Sequence, residues 1–177
     1  MSDQHLLTLT GIYYRMKAAA EAARILAPAH APEGRFHRDG QRALYLSDTP
    51  QGCVVATARY TDANTPSRGI FPLRVCDARV VDLRDDVATA ALGIDTTHRA
   101  IEWQNLRAKG VPSPTWDLAD RVRDLGLDGM LYASRTDPTK THLTLFRWNE
   151  AGTDAVVAQA GAYIAVSNLS PDARLRR

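Results

Sequence analysis

The chain of 177 residues is 45% apolar and 24% charged, the make-up of one globular domain rather than two. A net charge of +2 is too weak a bias to argue for nucleic acid, and no window approaches a membrane-spanning run of apolar residues. The start, Met1-Ser2-Asp3-Gln4-His5, lacks the basic-then-apolar layout of an export signal, so a cytoplasmic location is expected, with no membrane and no direct nucleic-acid contact.

In chain order, Leu9 to Tyr14 carries Thr, Ile and two Tyr and predicts a strand. Met16 to Leu26, rich in Ala, Lys and Glu, predicts a helix that Pro28 and Pro32 stop. Ala43 to Ser47 predicts a short strand. Thr49-Pro50 then opens a helix from Gln51 to Tyr60, with Pro at its first position, and Asp62 to Gly69 is a loop dense in breakers. Phe71 to Val75 and Arg79 to Leu83 predict strands, and Asp85 to Leu92 a short helix ended by Gly93. His98 to Lys109 has helical composition. Thr115 to Leu125 predicts a further helix, capped by Thr115 or Ser113 and closed by Gly126. Gly129 to Ser134 and His142 to Trp148 are apolar runs of strand character, with a polar turn between them.

Short strands mixed with short helices, without regular βαβ spacing, predict an α+β domain with a small mixed sheet core and peripheral helices. The domain is expected over residues 8–167. Residues 168–177, with three arginines among the last four, are expected to form a solvated tail. Cys53 and Cys76 show no CxxC spacing and sit in apolar surroundings, which suits reduced thiols. Trp103, Trp116 and Trp148 are expected in the core or at partner contacts rather than in a site.

One segment is chemically dense. Glu33-Gly34-Arg35-Phe36-His37, followed closely by Ala43-Leu44-Tyr45-Leu46-Ser47, gathers a carboxylate, a guanidinium, an imidazole, a phenol and a hydroxyl around a glycine that lets backbone approach a ligand. Several common chemistries lack their motifs: there is no GxGxxG after a strand, no Walker loop, no HExxH and no nucleophile elbow. The histidines at 5, 30, 37, 98 and 142 show no ligand-like pairing, so no metal is expected.

The series Tyr14-Arg15, Gly34-Arg35, Leu44 to Ser47 with Thr49-Pro50, Val80 to Arg84, Gly126 to Gly129 leading to Ser134-Arg135, and His142 to Phe146 resembles the RES domain, in the family's order, over residues 12–147. The resemblance implies a fold related to the ADP-ribosyltransferase toxins and the role of a toxin in a bacterial toxin–antitoxin pair. It implies that NAD+ is the substrate, consumed by hydrolysis, by phosphorolysis or by transfer of ADP-ribose to a protein. It further implies a cognate antitoxin, often one with a helix-turn-helix domain, whose segment covers the active-site cleft.

Cleaving the nicotinamide–ribose bond passes through an oxocarbenium-like state, which calls for cations at the pyrophosphate, a flat group against nicotinamide and a carboxylate or hydroxyl near the ribose. Arg15 and Arg35 are the candidate phosphate clamps, Tyr45 the stacking or ribose-bonding group, and Ser47 and Ser134 the polar contacts. Many members carry a Glu on the helix after the Tyr strand, and the matching residue here is Ala56. The candidate acid therefore moves to Glu33, with His37 as phosphate donor or proton carrier. The expected catalytic groups are Glu33, His37 and Arg15. Oligomeric state and the acceptor of ADP-ribose stay open at this point, and the alternative to an enzyme is a nucleotide-binding module that has kept the fold and lost catalysis.

Overall fold

The computed structural model describes residues 3–60 and 66–166. Seven strands form one sheet: β1 (Leu7–Ala18), β2 (Leu44–Ser47), β3 (Arg68–Asp82), β4 (Gly129–Ala133), β5 (Thr141–Leu145), β6 (Val156–Gln159) and β7 (Ile164–Ala165). Four α-helices lie around it: α1 (Pro50–Thr57), α2 (Asp86–Ala91), α3 (Trp103–Ala108) and α4 (Pro114–Asp124). The pairing runs β1-β2-β5-β4-β3, and β3 pairs back onto β1, so these five strands close into a ring. All of those pairs are antiparallel except β3 with β4. The fold is thus α+β with a mixed sheet, as its sequence leads one to expect.

Alternation along the strands sorts side chains between two environments. Leu44 and Leu46 of β2, Leu143 and Leu145 of β5, Leu131 of β4, and Phe71, Leu73 and Val75 of β3 form one buried cluster. The intervening positions turn to the other face. There Met130, Tyr132, Val81 and Phe146 join Phe36 and the apolar side of α4 in a second cluster. Burying two such faces supplies the hydrophobic driving force of the fold.

Several local expectations are corrected. Met16 to Ala18 continue β1 rather than beginning a helix, because they pair with Ile70, Gly69 and Arg68 of β3; only Ala19–Arg24 turns, as a 3-10 segment. Long-range pairing has overridden a weak helical preference. The two strands predicted over 71–83 are one, bent near Asp77, which takes φ of 53°. Helical structure over 98–109 shrinks to α3. Ser113 occupies the N-cap of α4 without a side-chain cap bond, its hydroxyl instead meeting Thr115 Oγ1 at 2.7 Å. β6 and β7 lie where no element was predicted. Of the loop expected over 62–69, residues 62–65 lie outside the described residues, and Arg68 and Gly69 open β3. The expected tail, 168–177, also lies outside the described residues. Among the described residues, no helix is long and apolar enough to cross a membrane.

Candidate active site

A cleft of about 1200 Å³ is lined by residues of β1, β2, β4, β5 and α1 and by the loops beside them. Arg15, Glu33, Arg35, His37, Tyr45, Ser47 and Ser134, the seven residues singled out in the sequence, all line it. Their separation along the chain is undone by strand register and by the loop between β1 and β2, which folds across the sheet.

Arg15 is only 6% exposed and its Nη1 donates to the carbonyls of Ile25 (2.5 Å) and Ala27 (2.6 Å). Burial lowers its pKa to about 10. Arg35 lies over the rings of Phe36 and Tyr132, at 4.8 and 5.2 Å to their centroids, and donates to the Arg99 carbonyl. Its Nε is buried with no hydrogen-bond partner, and burial lowers its pKa as well. Neither guanidinium has a carboxylate within ion-pair distance among the described residues.

Glu33 is held by Arg107 in a two-point pair, Nε to Oε2 and Nη2 to Oε1, both at 2.9 Å. That contact holds its carboxyl below the usual range. Glu33 and Asp137 are the carboxylates on the cleft wall. Ala56, the position at which the resemblance leads one to expect an acid, also lines the cleft.

Tyr45 is the hub of a closed network. Its hydroxyl accepts the Phe36 amide (3.0 Å) and meets His37 Nδ1 at 2.8 Å, while His37 Nε2 lies 2.9 Å from the Ala31 carbonyl. A carbonyl only accepts, so Nε2 carries the proton and Tyr45 donates to Nδ1. Burial raises the Tyr45 pKa and lowers that of His37, which keeps both neutral. His37, expected as a proton carrier, thus has both nitrogens engaged inside the protein. Gly34 permits this: a Cβ there would overlap the His37 ring. Trp116 Nε1 fixes the same turn by donating to the Gly34 carbonyl at 2.8 Å.

Thr49 caps α1, accepting the Gly52 amide at 3.1 Å. The Ser47 hydroxyl is 2.8 Å from His142 Nδ1. Ser134 is buried, and its Oγ accepts the Asp137 amide at 3.3 Å at the head of the β4–β5 turn. Cys53 on α1 is buried on the same wall, its pKa pushed up to about 12 by burial. Cys76 is also unpaired.

Residues the sequence reading did not select complete the walls: Tyr132, His142, Arg59, Tyr60, Trp103 and Lys140. Trp103, expected in the core or at a partner contact, is one of them. At the rim, Glu102 Oε1 takes both Arg59 (3.3 Å) and Arg135 (2.8 Å), and Gln104 Nε2 donates to Tyr60 Oη at 2.6 Å, linking the end of α1 to α3. Strand register was the missing signal, since Tyr132 and His142 are opposite one another only once β4 and β5 are paired.

The sequence matches the RES domain over residues 12–169. The chain belongs to the RES domain family. Its fold is similar to a chain of the M. tuberculosis MbcT–MbcA toxin–antitoxin complex, with a TM-score of 0.57 at 16% identity, covering 87% of this chain and 86% of that one. No curated protein matches this RES chain in sequence.

Proposed function

We propose that this RES domain is the toxin of a toxin–antitoxin pair and that it binds NAD+ and cleaves the nicotinamide–ribose bond. The carrying observation is two guanidinium groups lining one cleft, Arg15 buried and Arg35 half-buried with an unpartnered Nε, neither with a carboxylate within ion-pair distance among the described residues. A buried cation is costly unless it is paired, and a pyrophosphate supplies the missing charge. The cleft volume suits a ligand of dinucleotide size.

In this reading Arg35 and Arg15 take the pyrophosphate. The rings of Tyr45 and Tyr132 flank the nicotinamide, and the Ser47 and Ser134 hydroxyls give polar contacts. Nicotinamide leaves with the electron pair of the C1′–N bond, which discharges its pyridinium and leaves positive charge on the ribose. Glu33, held in place by Arg107, stabilises that charge. His37 acts by holding Tyr45. A nucleophile adds to C1′ and loses its proton; water gives ADP-ribose, phosphate a phosphorylated ADP-ribose, and a protein side chain a modified target. The partner is a cognate antitoxin whose segment fills the cleft, a role supported by the toxin–antitoxin complex in which the similar fold occurs.

A second reading, a nucleotide-binding module without turnover, is favoured by Ala56 alone. Chromatography of the full chain with NAD+, in plain buffer, with phosphate and with cell extract, separates the two. Release of nicotinamide in any arm, lost in Arg35→Ala, is expected. NAD+ that stays intact in all three arms while still binding would establish the second reading.

A further inference from the structure

Tyr14, Ser47, His142 and Tyr132 occupy one row across four adjacent strands: Tyr14 pairs with Ser47, Ser47 with His142, and His142 with Tyr132. All four line the cleft. His142 is near the middle of this row and only 5% exposed. Its ring packs at 5.5 Å against Tyr132, which lies beneath Arg35, and Ser47 Oγ holds its Nδ1 at 2.8 Å. Nε2 has no partner among the described residues, yet it is not sealed off from the cleft. Burial, and then the charge of Arg35, oppose protonation, with Asp48 acting weakly the other way, so the imidazole is neutral.

A neutral ring fixed from behind and open in front offers one directional hydrogen bond and no charge. Phosphate would be better served by the Arg35 guanidinium close by, and an apolar ring would gain nothing from the open nitrogen. The matching group is uncharged and able to donate or accept, whichever tautomer Ser47 selects. We propose that His142 is a ligand contact of this cleft, its Nε2 hydrogen-bonding a ribose hydroxyl of the nucleotide while Ser47 positions the ring. The contact rests on the reading of the cleft as an NAD+ site.

The test is calorimetric titration of the full chain with NAD+ and with ADP-ribose, for wild type, His142→Phe and His142→Gln, with folding checked by circular dichroism. Phe keeps the ring against Tyr132 and removes both nitrogens, whereas Gln keeps a polar group at reach. Loss of one such bond weakens affinity by about three- to tenfold. That loss is expected in His142→Phe for both ligands, with recovery in His142→Gln. On adding ADP-ribose, the Nε2 resonance of His142 in nitrogen-15 spectra is expected to move while Nδ1, held by Ser47, stays. Unchanged affinity in His142→Phe, or a loss confined to NAD+, which would place the nicotinamide carboxamide at Nε2, overturns the ribose contact and leaves the NAD+ reading standing. Wild type that binds neither ligand would remove both.

Discussion

At the scale of single residues, the cleft separates groups that are spent inside the protein from groups that are left open. Glu33 is two-point bonded to Arg107, which suits either a clamp or a charge kept ready. The two roles predict different mutants. If Glu33 stabilises the ribose cation, Glu33→Gln lowers kcat about 100-fold or more while Arg107→Ala, which leaves the carboxylate in place, costs much less. Equal losses in both would make it a clamp. Tyr45→Phe removes the partner of both the Phe36 amide and His37 Nδ1, and it is expected to cost about 1–3 kcal/mol, read as a lower urea midpoint at unchanged m-value. His142 carries a pH signature. Its folded pKa, about 4, lies below the ordinary value of 6.5, so the unfolded chain binds the proton first. Its contribution is complete above pH 6.5 and is lost as pH falls toward 4, by up to about 3 kcal/mol. Urea midpoints of His142→Gln should fall less over that window than those of wild type; equal falls would refute the buried neutral imidazole.

At the scale of elements, α1 places Ala56 on the cleft wall, at the position where the resemblance leads one to expect a carboxylate. Ala56→Glu is expected to raise the rate of nicotinamide release by about tenfold or more, because a carboxylate gains access to the ribose without a competing arginine clamp. A rate unchanged or lowered would mean that Glu33 already fills that role. Most elements were legible where local chemistry is strong: Thr49-Pro50 starts α1, Asp85 caps α2, and Gly126, at φ of 69°, ends α4. The failures have one cause. Met16 to Ala18 look helical from composition and become strand because β3 lies beside them. β6, with its mostly exposed side chains, gives no alternating pattern and exists through its pairing with Leu73 to Cys76.

At the scale of the molecule, five strands close on themselves, one face filled by leucines and the other packed in part against α4 in a second apolar cluster. The loop motif around Arg35, and Tyr45 and Ser47, were legible because each lies in a short chemically dense segment. Tyr132 and His142 were not, since their relation to Ser47 is a matter of register. The central claim is that Arg15 and Arg35 take a pyrophosphate. Calorimetry with NAD+ and ADP-ribose, against nicotinamide riboside and adenosine, tests it directly. Both pyrophosphate ligands are expected to bind at least about tenfold more tightly than the two that lack it, and Arg35→Gln to remove most of that margin. Equal affinity for all four ligands, or a margin untouched in Arg35→Gln, would contradict it.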